Sequence, residues 1–452
     1  MALSRVFVAN RGEIAVRIVR ACRALGLESV VGVSDADREG MAAELADRAV
    51  VLGPAPARDS YLNANLLVHA AKATACDGLH PGYGFLSESP ALADLCEREG
   101  IAFVGPRAET IERLGDKLTA RTIAIEAGVP IVPGSDRIGS AAEAHSFAAS
   151  VGYPVLMKAS AGGGGRGMFV ARADADIDDG FERASTEARA AFGDGTLFVE
   201  RFVEDARHVE VQIMGDGAGT VVHFGERDCS VQRRFQKMVE EAPAAALPAE
   251  ARVLIHDAAC RLARHLDYRS AGTVEFLYDV DRGEAYFIEA NVRIQVEHPV
   301  TEEVAGIDLI EEQLRIAGGG GLSVAQEDIA LAGHAIECRI NAEAPARDFA
   351  PSPGLIDAWC APEGQGIRID SHCRAGAFVS PFYDSMIAKL IVRAGDRAEA
   401  VERMGGALDR FRIGGIDTNL AFQARLVRHP DFAANRLNTR WLEDVFMPSL
   451  MH

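Results

Sequence analysis

In the stretch "GTVEFLYDVDRGEAYFIEANVRIQVEHPVTE", Glu275 and Glu289 flank the turn Asp281-Arg282-Gly283. With that turn at the centre, strands over about 273–279 and 285–289 set the two carboxylates opposite each other on one face. Cross-strand neighbours have Cβ atoms ~5 Å apart, and like charges so placed repel. A divalent cation such as Mg²⁺, which takes hard oxygen ligands and can share a nucleotide's phosphates, resolves the conflict. The bland alternative is a solvated, slightly unfavourable pair on an exposed strand. Past Glu289 every second residue is polar: Glu289, Asn291, Arg293, Gln295, Glu297. Alternate residues of a strand share a face, so the pattern predicts one row of acceptor, amide, fixed cation, amide and acceptor. Such a row can hold a metal at one end and a small anion, with a base beside it, at the other.

Two further stretches carry chemistry. "KASAGGGGRGM", residues 158–168, lacks the Lys-Ser/Thr that closes a P-loop. It runs from β-like "YPVLMKA" into β-like "MFVAR" rather than from strand to helix, so its glycines read as a hairpin tip. That tip is either a floppy turn or a lid whose amides and Lys158 close over phosphates, because only glycine lets backbone N–H groups approach an anion so closely. "ERDCSVQRRFQKMVEE" gathers Arg233, Arg234 and Lys237, which read either as a solvated face or as the wall of an anion pocket.

The elements that must position these groups follow from the rest of the chain. Its 452 residues call for two or three domains. A net charge of −19 argues against a nucleic-acid surface, so any phosphate must find locally placed cations. No stretch approaches a membrane span, and "MALSRVFVAN" enters a strand without a signal-peptide pattern. Eight scattered cysteines without a C-x-x-C pair point to a reducing cytoplasm rather than to disulfides or zinc. "RVFVAN", the helical "GEIAVRIVRACRALG" closed by Gly26, and "ESVVGVSD" make a βαβ unit that opens a doubly wound parallel domain. Its first turn, "ANRGEIA", has one glycine, too few for a dinucleotide site. Helices mixed with hairpins follow, "AGGGGLSV" at 317–324 reads as a helix stop and linker, and a β-rich third region opens with "GHAIECRINAE".

"ANRGEIAVRI", "HPGYGFLSE", "GDK", "KASAGGGGRGM", "ERDCSVQRRFQK", "GTVEFL", "IEANVRIQVEHPVTE", "ECRINAE" and "YDSMIAKL" span essentially the whole chain. In that order they resemble the biotin carboxylase family, the ATP-grasp component of biotin-dependent carboxylases. The resemblance implies an α/β and α+β fold in three parts. These are a doubly wound N-terminal domain over 1–115, an ATP-grasp domain over 116–332 with a mobile lid at about 131–203, and a β-rich C-terminal domain over 333–447. It implies that Lys117, Lys158, Gly164 and Gly165 hold ATP phosphates, and that Glu200, Arg201, Phe202 and Val203 form the hinge against adenine. His208 and Gln232 would lie near the nucleotide, while Glu275, Glu289 and Asn291 would bind two Mg²⁺ or Mn²⁺ ions. Lys237, Arg293, Gln295 and the Val296 amide would hold bicarbonate, with Glu297 as its general base. Arg339 would stabilise the biotin enolate, and biotin would dock beside Tyr83 and Arg339.

The reaction so implied phosphorylates bicarbonate to carboxyphosphate, which yields CO₂ and phosphate; the phosphate deprotonates biotin's ureido nitrogen, which attacks CO₂. The chain contains no A/E-M-K-M-like turn for attaching biotin. Biotin is therefore expected on a separate carrier protein or domain, with a carboxyltransferase subunit and an acyl-CoA acceptor beyond it and a homodimer as the assembly. An ATP-grasp ligase joining a carboxylate to an amine, and a silent nucleotide-binding regulatory subunit, are the alternatives; intact Lys237, Glu275, Glu289, Arg293 and Glu297 weigh against the latter. Several positions depart from the family pattern: Phe235 replaces the usual His, Ala290 and Val292 replace Met and Thr, Arg201 replaces Lys, and Ala161 replaces a glycine. Glu302, just past the row, reads as exposed.

Overall fold

The computed structural model describes residues 2–159 and 167–450. Strands β1 (Arg5–Val8), β2 (Glu28–Ser34), β3 (Arg48–Gly53), β4 (Gly78–His80) and β5 (Ala102–Phe103) form a parallel sheet in the order β3-β2-β1-β4-β5. Its central strand is apolar on both faces, with Val6, Phe7 and Val8 fully buried, as a sheet covered on two sides requires. The turn after β1 serves the loop after β4 instead of a dinucleotide. Asn10 Nδ2 donates to the carbonyls of Pro81 (2.6 Å) and Tyr83 (2.7 Å), and Arg11 pairs with Asp37 at 2.9 Å. The helix Gly12–Ala24 follows, and Gly26 leaves it at φ +70°, a left-handed conformation that costs glycine nothing.

Strands β6 (Val155–Ala159), β7 (Met168–Ala171) and β8 (Leu197–Arg201) form a small sheet in the order β7-β6-β8. Lys158 pairs with Met168, as the hairpin reading requires. Residues 160–166, and with them Gly164 and Gly165, lie outside the described residues. This unit has its own apolar core, built from Ile138, Val155, Met157, Leu197, Val199 and small alanines on its helices.

The third sheet carries the site. It joins β9 (Ala206–Asp216), β10 (Val221–Arg233), β11 (Gln236–Ala242), β12 (Arg269–Asp279), β13 (Glu284–Asn291) and β14 (His334–Asn341) with the strands Ile367–Ser371 and Met386–Ala394. Starting from the edge, the order is β13-β12-β9-β10-β11-β14, then Met386–Ala394, then Ile367–Ser371. The β-rich region past residue 333 therefore builds its main strands onto the central sheet. The physical gain is edge protection, because β14 covers the backbone groups that β11 would otherwise present unpaired.

Glu241 at the end of β11 fastens that junction. Its carboxylate takes His334 of β14 at 2.8 Å and both arms of Arg397 at 2.7 and 2.8 Å. Arg397 opens the helix Arg397–Arg410 that packs on the added strands. Burial pushes the carboxyl up, but His334 and Arg397 outweigh it and pull its pKa down to about 2. A carboxyl with a lower pKa folded than unfolded adds stability above its unfolded value and loses it as pH falls through the folded one. Glu241→Gln is expected to cost ~3 kcal/mol at pH 7, as breaking a buried pair does. Urea denaturation of both chains at pH 7 and pH 3 checks this: the gap should shrink on acidification, and a gap that widens overturns the assignment.

Candidate functional site

Glu275 of β12 stands opposite Glu289 of β13 as expected, but through a β-bulge: from a turn with Gly283 at φ +68° the ladder runs from Asp279–Glu284 to Phe276–Phe287, and a shift past Phe276 skips Ile288 and brings Glu289 to Glu275. On its other side Glu275 pairs in register with Glu210 of β9. Three carboxylates therefore cross three adjacent strands in one line. Lys237, from β11, reaches into them, with Nζ at 2.6 Å from Glu210, 3.0 Å from Glu275 and 2.7 Å from Glu297. Burial works against its charge, but the surrounding anions prevail and the pKa stands well above the ordinary lysine value.

The carboxylates are then told apart by their other partners. Glu275 accepts from Asn291 at 2.8 Å and pairs with His208 at 2.8 Å. Although burial opposes it, Lys237 and His208 hold Glu275 far below the usual carboxylate range. Glu289 is pushed up, first by burial and then by the charge of Glu275, and among the described residues no cationic side chain pairs with it. An under-neutralised carboxylate beside an ionised one, both hard oxygen donors, fits a divalent cation. Glu297 is fully buried; burial raises its pKa, yet Lys237 and Arg339 bring it below normal, so it stands ionised at neutral pH. Arg339 holds it at 3.1 Å while donating to Glu240 at 2.6 Å.

The predicted polar row is only half a strand. β13 ends at Asn291, because the chain leaves the sheet edge to begin the helix His298–Ala305, with Pro299 in its first turn. The alternation survives without strand pairing: Val292 and Ile294 are buried while Asn291 and Arg293 face the cavity. Arg293 donates to Gln295 Oε1 at 2.7 Å and to Asn291 Oδ1 at 3.3 Å, and Gln295 donates to Thr273 at 3.0 Å. Glu297 itself is the residue that precedes the helix. Glu302, expected to be exposed, is buried and grips Arg17 and Arg368, each at 2.8 Å. The reason is that the helix places it between the N-terminal and C-terminal parts of the chain.

These groups open onto one cavity of about 1750 Å³. It is lined by Tyr83, Lys117, Lys158, Glu200, Arg201, Phe202, Val203, His208, Gln232, Lys237, Glu275, Glu289, Asn291, Arg293, Gln295, Val296 and Arg339. Of the expected site residues, only Glu297, buried against Lys237 and Arg339, and the undescribed Gly164 and Gly165 are not in that lining. Lys117 begins the helix Lys117–Glu126, whose first turn is capped by Asp116. Lys158 pairs with Glu200. Arg201 turns toward Tyr286 and Glu284, and Gln232 donates to the Cys229 carbonyl and touches His208, both at 2.8 Å.

The expected trio of cations breaks up. Arg233 and Arg234 bind Asp348 at 2.7 and 3.0 Å, and Arg233 also lies 4.0 Å from the Phe349 ring; Arg234 still lines the cavity, but of the three only Lys237 reaches the carboxylates. Arg234 and Phe235 form the two-residue turn between β10 and β11, both at positive φ, and Phe235 is 71% exposed. Sequence reasoning missed Glu210, Glu240 and Glu88. Glu210 was within reach, since His208, Glu210 and Gln212 alternate on one face of β9. Glu88 comes from the distant "HPGYGFLSE" loop and holds Arg293 at 3.1 Å, a contact no local pattern announces.

Models of three families cover the chain. Residues 2–111 match "Biotin carboxylase, N-terminal domain", 116–325 match "Carbamoyl-phosphate synthase L chain, ATP binding domain", and 337–444 match "Biotin carboxylase C-terminal domain". Biotin carboxylase 1 of Bacillus subtilis is 49% identical over 442 residues, 98% of each chain. A biotin carboxylase–βγ-ATP complex from Campylobacter jejuni superposes with a TM-score of 0.91 at 43% identity, over 97% of this chain and 98% of that one. The biotin carboxylase domain dimer of Hydrogenobacter thermophilus 2-oxoglutarate carboxylase, solved with MgADP, ADP and bicarbonate, gives 0.91 at 44% identity, over 100% and 99%. A sheet that sets Glu275 and Glu289 face to face, a cavity that collects lysines, arginines and a buried glutamate, and full-length identity of this order lead to one conclusion: the chain belongs to the biotin carboxylase family.

Proposed function

We propose that this protein uses ATP and bicarbonate to carboxylate biotin held on a carrier protein or domain, the first half-reaction of a biotin-dependent carboxylase. One observation carries the reading. An ionised, fully buried Glu297 is pinned between Lys237 and Arg339, beside a cavity that also receives Lys117, Lys158 and Arg293. Bicarbonate seated on Arg293, Gln295 and the Val296 amide would give its proton to Glu297 while its oxygen attacks the γ-phosphorus and ADP leaves. The carboxyphosphate so formed separates into CO₂ and phosphate. That phosphate takes the ureido proton of biotin, whose nitrogen then attacks CO₂, with Arg339 facing the enolate oxygen and Tyr83 beside the ring. Lys117 and Lys158 hold the nucleotide's phosphates, and Glu200–Val203, His208 and Gln232 its adenosine end. Glu275, Glu289 and Asn291 supply the oxygens for Mg²⁺ or Mn²⁺, which when bound offsets charge on the transferring phosphoryl group.

The domain division at about 115 and 332, the lid over 131–203 and its glycines 164 and 165 belong to the same reading. So do a homodimer, a carboxyltransferase partner that chooses the acceptor, and a cytoplasmic location. Among the described residues no helix is long and apolar enough to cross a membrane. Seven of the eight free cysteines are buried with only Cys360 exposed, which suits a reducing compartment.

Two experiments test the assignments. Glu289→Gln should raise the Mg²⁺ concentration needed for half-maximal ATP cleavage by about 10–100-fold, the loss that even a residue merely orienting a metal ligand causes. The exposed control Glu250→Gln should leave it unchanged, and equal curves for both variants remove Glu289 from the metal set.

Glu297→Gln should lower bicarbonate-dependent ATP cleavage by about 10²–10⁴-fold, the range for losing a general base. Arg339→Ala should depress biotin carboxylation more than bicarbonate-dependent ATP cleavage, because Lys237 still holds Glu297 when Arg339 is gone. ATP hydrolysis and carboxybiotin formation measured side by side give the answer, and equal losses in the two assays contradict the division of roles.

A further inference from the structure

Lys389 does not line the cavity, and its side chain is wholly buried. It lies on the strand Met386–Ala394, directly opposite Arg339 of β14. Two cations so placed repel unless each is drawn elsewhere, and each is drawn to the same short stretch. Arg339 takes the side chain of Glu297 at 3.1 Å, while Lys389 Nζ donates to the backbone carbonyl of Val296 at 2.8 Å. That carbonyl belongs to the peptide linking Val296 to Glu297. The candidate base is thus gripped twice from adjacent strands, once by its carboxylate and once by its own peptide plane.

The same ammonium reaches the opposite wall of the site. It pairs with Glu13 Oε1 at 3.0 Å, and the Tyr83 hydroxyl donates to that same oxygen. Glu13 stands in the first turn of the helix Gly12–Ala24. A single side chain from the C-terminal part therefore ties Val296, in the central part, to Tyr83, in the N-terminal part. A lysine kept in the core only to balance Glu13 would not need the one carbonyl that adjoins the base.

We propose that Lys389 is a positioning residue, which holds the Val296–Glu297 peptide and, through Glu13, the Tyr83 hydroxyl in one frame, so that the bicarbonate and biotin halves of the site keep their mutual distance. The inference rests on the biotin carboxylase reading. Misplacing a reacting group by about 1 Å can cost ~10²-fold in rate without loosening substrates bound elsewhere.

The test compares Lys389→Met and Lys389→Arg with the wild-type chain. Lys389→Met should lower kcat for bicarbonate-dependent ATP cleavage by about tenfold or more per folded molecule. Its KM for ATP should stay within about twofold, since the nucleotide ligands are untouched. Lys389→Arg, which keeps a buried cation and donor, should recover most of the loss. A purely structural lysine predicts a lower melting temperature with wild-type kcat in the folded fraction, and that result overturns the proposal, as does an arginine variant no better than methionine. Should the methionine variant not fold, Glu13→Gln takes its place, with a raised KM for free biotin expected and an unchanged one overturning the link to Tyr83. Amide hydrogen exchange across 295–298, faster in Lys389→Met or Glu13→Gln than in wild type, reads the positioning without turnover, and unchanged exchange sinks it. A wild-type chain without bicarbonate-dependent ATP cleavage would instead count against the biotin carboxylase reading, and exchange would still decide on Lys389.

Discussion

One largely buried ammonium at the cavity wall, that of Lys237, sits within hydrogen-bond distance of three carboxylates from three separate places in the chain. Removing a charge from water is expensive, and removing several is tolerable only when each is met by an opposite partner and its remaining hydrogen bonds are filled. The surroundings supply the opposite partners. Arg227 takes Glu210 at 2.6 Å, His208 takes Glu275 at 2.8 Å, and Arg339 takes Glu297 and Glu240. Remove Lys237 and Glu210 and Glu275 face each other across strands that are locked in register, with Glu297 close beside them. Much of the sheet's geometry around β9, β11 and β12 is the geometry that keeps this ammonium in contact with all three.

The same network distributes acidity. Glu275 and Glu297 remain ionised because cations reach them, while Glu289 and Glu240 are pushed up, Glu240 to about 7, chiefly by burial. Groups of one chemical type thus acquire different protonation habits from their neighbours alone, which is how one acidic surface can offer both a metal ligand and a base. The net charge of −19 makes that local arrangement necessary, because the field of the whole protein opposes any phosphate that approaches.

What could be read from the chain alone follows from how local each feature is. The pairing of Glu275 with Glu289 was legible in its outcome but not in its cause: the turn's own register would set Ile288 opposite Glu275, and a bulge past Phe276, which no local pattern announces, brings Glu289 there instead. The alternation after Glu289 was legible as a pattern but not as a strand, since pairing depends on a neighbour that the sequence does not show. Arg233, Arg234 and Lys237 looked alike in composition, yet Asp348, more than a hundred residues away, withdraws two of them. Glu88, Glu240 and Lys389 were invisible for the same reason: each matters through a contact that only the tertiary fold creates. Glu302 was misread because a helix just past the row carries it inward between two other regions.

The position of the added C-terminal strands shows why they extend the central sheet rather than form one of their own. Arg339 and Lys389 must both reach residues 296 and 297, and adjacent strands of one sheet hold such partners at a fixed spacing. The small three-stranded sheet has its own apolar core and contributes Lys158 and the 200–203 segment from one side. The charged groups around Lys237 come from the large sheet and the segment just past it, and are assembled without that unit. Preorganised charge of that kind costs no rearrangement at the moment of reaction, which is where most of its catalytic value lies.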